Sequence, residues 1–206
     1  MSRLLDELGD EERRYAQRAL TGSPTVHVPS AGVGDVPDAV LLVVETGVVL
    51  LVRGDSRRIV MAVAGPGEVL APPGEGQELR GLTRARVTAV TRDAGRELMA
   101  VPGAAAAVAR ALVEAVGDRQ ESLANFARFP HAERVRGKLL QLARSHGKVV
   151  EDGVLIDLPL THDLLAESIG STRETVTLAL RELMRSGFVS RADRRYRVSV
   201  PPDELS

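Results

Sequence analysis

The chain has 206 residues, a formal net charge of −1, 44% hydrophobic and 27% charged residues, 2% aromatics and no cysteine. That length holds one ordinary domain or two small ones, and the composition is that of a soluble globular protein. The missing cysteine excludes disulfides, thiolate metal sites and cysteine-bound iron–sulfur clusters, and a net charge near zero means that any affinity for nucleic acid must come from local charge.

The N-terminus lacks the long apolar stretch of a signal peptide, and residues 3–20 form an amphipathic helix with Leu4, Leu5, Leu8, Tyr15, Ala19 and Leu20 as its apolar side and Gly9 as an interruption. From 25 to 101 the texture is short Val-rich runs punctuated by Gly, Pro and Asp: Val26–Val28, Val40–Val44, Val48–Val52, Ile59–Val63 and Ala85–Val90. Such runs predict an antiparallel barrel or sandwich. Glu45-Thr46-Gly47 predicts a hairpin. The most apolar stretch, Ala39 to Val52, is too short and too β-branched to span a membrane, so no membrane partner and a cytoplasmic location are expected.

After Pro102-Gly103 the pattern becomes helical. Val108, Leu112, Ala115, Arg119, Leu123 and Phe126 recur at steps of three or four along Ala104 to Phe129. A seam this narrow suits a partner helix, and the alternative is packing on the chain's own barrel. Phe129-Pro130 ends this helix. Ala132 to Ser145 is a further helix, with Val135, Leu139, Leu140, Leu142 and Ala143 apolar. Val149-Val150 and Val154-Leu155-Ile156 flank Glu151-Asp152-Gly153, a hairpin signal.

Two short helices follow. Thr161 caps the first, which runs from His162 to Ile169, and Gly170 ends it. Ser171 caps the second, Ser171-Thr172-Arg173-Glu174 fits the capping-box pattern, and Val176, Leu180 and Leu183 form its inner stripe. Two helices joined by a tight Gly-containing turn predict a helix-turn-helix. Arg173, Glu174 and Thr177 then lie on the outer face near the N-terminal end, where a recognition helix meets base edges. Arg can pair with guanine and a carboxylate with cytosine, although Glu174 can equally serve the capping box. Phe188–Ser190 and Arg195–Val200 predict a two-stranded wing. Residues 171–197 hold seven arginines (173, 181, 185, 191, 194, 195 and 197) against three acids, the local excess that phosphate neutralisation needs. Arg181 and Arg185 can also be solvated helix-face charges.

Leu160-Thr161-His162-Asp163-Leu164-Leu165-Ala166-Glu167-Ser168-Ile169-Gly170-Ser171-Thr172-Arg173-Glu174-Thr175-Val176 resembles the helix-turn-helix of the Crp/Fnr family of bacterial regulators, and Leu178–Leu183 and Gly187-Phe188-Val189 continue the match. The resemblance extends along the chain. It implies an α+β fold: an N-terminal β-roll sensor of the cyclic-nucleotide-binding jelly-roll kind with its N-terminal helix (residues 1–102), a long dimerisation helix and hinge (103–130), and a C-terminal winged helix-turn-helix (131–206). It further implies a homodimer on palindromic double-stranded DNA, an effector that shifts the dimer between two states, and RNA polymerase as a partner. Arg173 and Glu174 match base-reading positions, Thr172 and Thr175 phosphate-contacting ones, and Arg181 a basic one. Thr161, Ser171, Thr177 and Arg195 complete the candidate DNA contacts. Leu178 departs from the pattern, standing where the cyclic-AMP receptor protein has a base-contacting Arg; contact with a thymine methyl is one possibility there.

The sensor departs further. Glu45-Thr46-Gly47 and Gly65-Pro66-Gly67-Glu68 resemble the family's β-roll turns. The family's Gly-Glu pair for ribose, however, falls on Ala71-Pro72, and its Arg-Ser pair for the cyclic phosphate on Thr83-Arg84. The carboxylate is gone, the arginine is displaced to the other strand face, and Pro72-Pro73 removes backbone donors. Cyclic AMP is therefore not the expected effector. Arg80, Thr83, Arg84, Arg119 and Gln120 remain candidates for another anion, with a solvated strand face as the alternative for the β-roll arginines. His27 is the lone sensor histidine, and His131, His146 and His162 show no metal-ligand spacing; no metal and no cofactor are expected. There is no nucleophile elbow, no Walker loop and no complete dinucleotide fingerprint, so the chain is not expected to be an enzyme. The competing expectation is a small-ligand-binding signalling module with weak or vestigial DNA binding.

Overall fold

The computed structural model describes residues 8–54, 58–128, 130–192 and 195–200, apart from the side chains of 118, 121–128 and 192. The chain divides into two compact units, one of residues 1–56 and 61–119 and one of residues 57–60 and 120–206.

The first unit opens with α1 (Asp10–Thr21), which Gly9 precedes at its N-cap. Its buried face is Ala16, Ala19 and Leu20, with Leu8 just ahead. Tyr15, expected on that face, is 42% exposed and lies under the Arg18 guanidinium at 5.7 Å. Leu4 and Leu5 lie outside the described residues. Eight strands follow: β1 (Thr25–Val28), β2 (Val33–Gly34), β3 (Leu41–Thr46), β4 (Val49–Arg53), β5 (Ile59–Ala64), β6 (Val69–Leu70), β7 (Gln77–Gly81) and β8 (Ala85–Val90). They form two four-stranded sheets in the orders β1-β8-β3-β6 and β2-β7-β4-β5, with antiparallel pairing. The expected β-roll is thus present, and its β1–β8, β3–β8, β3–β6, β2–β7 and β4–β7 pairs are antiparallel.

The Glu45-Thr46-Gly47 hairpin is not. β3 pairs with β8 and β6, whereas β4 pairs with β7. The turn carries the chain from one sheet to the other, and sequence patterning alone does not separate such a corner from a hairpin. Gly47 makes the corner at φ +76, where a Cβ would meet the Arg84 carbonyl oxygen at 2.2 Å. Glu45 lies at a register shift in β3, where Thr88 Oγ1 donates to it at 2.5 Å and Arg86 pairs with it at 3.3 Å. β2, β6 and β7 escape sequence reading because the first two are only two residues long and Gln77–Gly81 is polar.

Burial explains the Val-rich runs. Leu42 and Val44 point between the sheets with Val26, Val28, Val49, Leu79 and Val87. Leu41 and Val43 point to the other face, covered by helices that supply Ala16, Leu20, Leu98, Ala104 and Val108. With both faces buried, β3 reads as continuous apolar sequence rather than alternation. The covering helices are α1, α2 (Arg92–Met99) and the start of α3 (Pro102–Arg128). Glu12 of α1 accepts from the Gly103 amide at 3.1 Å, placing a carboxylate at the N-terminal end of α3.

In the second unit α4 (His131–His146) buries Val135, Leu139, Leu142 and Ala143, while Leu140 is only half-buried. β9 (Gly147–Val150) and β10 (Gly153–Ile156) form the expected hairpin. β11 (Val189–Ala192) and β12 (Arg195–Val198) form the wing. β12 also pairs with β10, which joins hairpin and wing into one sheet of order β11-β12-β10-β9. Between them stand α5 (His162–Ile169) and α6 (Arg173–Arg185). The core of this unit closes on Val154, Ile156, Leu165, Val176, Leu180, Tyr196 and Val198.

Gly47→Ala is expected to lower folding stability by roughly 2 kcal/mol or more, since it combines a strained φ with a backbone clash. Thermal melting is the measurement; a variant melting with the parent would remove the corner's assigned role.

Candidate nucleic-acid interface

Thr161 Oγ1 accepts from the Leu164 amide at 3.1 Å and starts α5. Gly170 stops it at φ 58, ψ 44, the left-handed conformation that glycine adopts without steric cost. The Ser171 amide reaches back to the Ala166 carbonyl at 3.0 Å, and α6 begins two residues later.

The cap of α6 differs from expectation. Thr172, not Ser171, is the N-cap, and its Oγ1 accepts from the Thr175 amide at 3.3 Å. Ser171 instead meets His131 Nδ1 at 3.0 Å. Shifting the cap by one residue puts Thr175 rather than Glu174 at the third helical position, so no capping box forms. Glu174 is exposed in the first turn, next to Arg173. Ser and Thr are both good caps; the turn geometry at Gly170 decides which hydroxyl meets the free amides.

Val176, Ala179, Leu180 and Leu183 are buried on the inner face of α6, and Arg173, Glu174, Leu178 and Arg181 are exposed on the outer one. Leu178 is 63% exposed, high for a leucine on a packed helix. Arg173 pairs with Asp163 at 3.5 Å. Thr177 donates to the Arg173 carbonyl at 2.8 Å and also contacts His162 Nδ1 at 2.8 Å, so its hydroxyl is engaged inside the protein. Burial, followed by Arg191 and Arg173, holds the His162 imidazole below the usual histidine range.

The wing is less free than its arginine count suggests. Arg195 pairs with Asp157 at 3.0 Å, and Lys148 pairs with the same carboxylate. The Lys148 hydrogen bond, aided by Arg195, holds Asp157 below the usual carboxylate value against the opposing effect of burial. Arg197 pairs with Asp152 at 3.1 Å and donates to Ser190. Arg191, exposed on β11, lies close enough to His162 to act on its charge. Arg191 and His162 were outside the sequence-derived contact set; a histidine at the first position of a helix carries no signal until its neighbours are known.

Residues 133–202 match the family model of the Crp-like helix-turn-helix domain. The chain carries a Crp-like helix-turn-helix domain. The Global nitrogen regulator of Synechocystis sp. is 43% identical over 63 residues, which is 31% of this chain and 28% of that protein. The chain thus covers well under two thirds of this curated relative. Among solved structures, a CooA mutant from Carboxydothermus hydrogenoformans superposes with a TM-score of 0.76 at 15% identity, over 91% of this chain and 88% of that one. FixK2 from Bradyrhizobium japonicum gives 0.70 at 20% identity, over 89% and 95%. At these identities the likeness is one of fold: the β-roll, the long helix and the winged helix-turn-helix are shared.

Outside the Crp-like domain, the expected seam on α3 is only partly available to a partner. Val108 is 5% exposed and packs in the core beneath the β-roll helices. Its neighbours turn outward: Leu112 is 41%, Val113 71% and Val116 49% exposed. The exposed apolar stripe therefore runs through 112, 113 and 116, with Ala115 half-buried beside it. Arg119 is partly buried, and its Nε has no hydrogen-bond partner among the described residues. The side chains of Leu123 and Phe126 lie outside the described residues.

Two of the candidate effector residues are engaged locally. Arg80 pairs with Glu78 at 3.3 Å and donates to the Ala31 carbonyl at 3.1 Å. Thr83 Oγ1 accepts from the Val48 amide at 2.9 Å, and Arg84 is exposed. A cleft of about 490 Å³ is lined by Val33, Val36, Asp38, Pro72, Pro73 and Gln77 among others, and Arg80, Thr83, Arg84, Arg119 and Gln120 are not among its lining residues. Among the described residues no single helix is long and apolar enough to cross a membrane, and no three potential metal-ligating side chains cluster.

Proposed function

We propose that this chain is a homodimeric, sequence-specific DNA-binding transcription regulator of the Crp/Fnr type. Residues 1–102 serve as the sensor, 103–130 as dimerisation helix and hinge, and 131–206 as the winged helix-turn-helix. The observation that carries the proposal is the first turn of α6, where Arg173 and Glu174 are exposed side by side and neither is consumed by the cap. Arg173 reads a guanine, Glu174 accepts from a cytosine amino group, and exposed Leu178 meets a thymine methyl. Thr172, Thr175 and Arg181 contact phosphates. Thr161, Ser171, Thr177 and Arg195 complete the interface, each held in place by a protein partner. The regulator works in the cytoplasm, with RNA polymerase as its partner on the promoter.

Arg173→Ala is expected to lower affinity for a palindromic duplex recovered from a promoter library by about 10- to 100-fold and to relax selectivity at one base pair of each half-site. Anisotropy titrations against half-site variants measure both. Selectivity identical to that of the parent would remove Arg173 from the reading.

Dimerisation is proposed through α3. A stripe of Leu112, Val113 and Val116 left in solvent favours a self-complementary contact with the same stripe of a second copy. Val113→Glu is expected to convert the dimer to a monomer in sedimentation and to weaken binding to the full palindrome more than to a half-site. A variant that remains dimeric would place the interface elsewhere.

Cyclic AMP is not the proposed effector. Pro72 replaces the ribose-binding carboxylate, and the Thr83 hydroxyl is committed to Val48. Adding cyclic AMP is expected to change neither DNA affinity nor the melting temperature. Saturable binding in a calorimetric titration would overturn this.

A further inference from the structure

His162 stands near the arginines of the proposed interface. Thr177 Oγ1 lies 2.8 Å from the Arg173 carbonyl oxygen and 2.8 Å from His162 Nδ1. A carbonyl only accepts, so the hydroxyl proton goes to Arg173 and the hydroxyl oxygen accepts from Nδ1–H. That contact settles the tautomer of the neutral ring: Nδ1 carries the hydrogen and Nε2 the lone pair. Nε2 has no hydrogen-bond partner among the described residues. Arg191 of β11 and Arg173 and Arg181 of α6 oppose a charge on the ring, Asp163 of its own helix favours one, and burial opposes it most. The ring is thereby held neutral near pH 7 in a setting that otherwise gathers positive charge.

The geometry points to His162 as a further phosphate-contacting residue: DNA binding is accompanied by uptake of one proton from solvent at Nε2, and the resulting Nε2–H donates to a backbone phosphate oxygen. The inference rests on the DNA-binding reading above and deepens it. The physical reason is the change of electrostatic surroundings on binding. Phosphates lie against Arg181 and Arg191 in the complex and neutralise two of the charges that oppose protonation. They also supply an anionic acceptor where the free protein has none. The ring's pKa is then higher in the complex than in the free protein. Affinity is greatest below both values and loses the contribution as pH rises through the value in the complex; each unit of difference is worth about tenfold in affinity.

The test uses the full chain, the palindromic duplex recovered from the library and a random duplex of the same length. Anisotropy titrations run from about pH 8 to about pH 5.5, the histidine window, at several salt concentrations. For the parent, affinity for both duplexes is expected to rise about fivefold or more as pH falls. The salt slope is expected to steepen by about one-half to one. His162→Gln is expected to give a flat, weaker profile. His162→Arg is expected to give a flat profile at the strong-binding level, which a merely structural role for the ring does not produce. His131→Gln, which removes the other imidazole at this turn, is expected to keep the parent's profile. A parent profile that is flat while the palindrome is still bound overturns the role of His162 and leaves the regulator reading standing. So does a His162→Gln variant that keeps the pH-dependent salt slope. A parent that binds neither duplex at any pH overturns both.

Discussion

The left-handed turn at Gly170 is the constraint on which the interface depends. It ends α5 within one residue, bends the chain so that the Ser171 amide closes on Ala166, and delivers Thr172 rather than Ser171 to the cap of α6. Every side chain along α6 is then fixed in rotation by that start. Val176, Leu180 and Leu183 meet α4 and the core, and Arg173, Glu174 and Leu178 are left outside. A cap one residue earlier would have bound Glu174 into a capping box and used part of its acceptor capacity on the backbone. The stability of the turn and the chemistry of the exposed surface are thus one decision.

The same economy governs charge. A count of arginines suggests a wing that grips phosphate along its length, yet Arg195 and Arg197 are paired with Asp157 and Asp152. Exposed pairs of this kind contribute little stability, but they orient long side chains and lower the positive potential of the wing. The outward arginines near His162 are Arg181, Arg191 and Arg173, the last of which pairs with Asp163. The proposed interface centres on the end of the helix that carries the base-reading candidates.

In the N-terminal unit the governing fact is that one sheet is buried on both faces. β3 carries Leu42 and Val44 into the roll and Leu41 and Val43 under the helices. That covering layer takes Ala104, Ala107 and Val108 from the first turns of α3, so those turns belong to the β-roll core. Only beyond them does the helix turn apolar residues to solvent. A seam drawn by periodicity from Val108 onward takes in both a buried stretch and an exposed one.

Local sequence determined much of this protein: the Val-rich runs, the long helix after Pro102, the Glu151-Asp152-Gly153 hairpin, and the helix–Gly170–helix pattern with its inner stripe. These are legible because periodicity, caps and glycine conformations act over a few residues. Tertiary structure decided the rest, because the remaining questions concern partners distant in the chain. It turned the Glu45–Gly47 connection into a corner between sheets, since β3 and β4 find their hydrogen bonds on β8 and β7. It joined hairpin and wing through β10 and β12. It moved the cap from Ser171 to Thr172, and it tied Arg195 to an aspartate 38 residues earlier in the chain. It also brought His162 against Thr177 and three arginines from two elements, a juxtaposition for which a lone histidine in a sequence carries no mark.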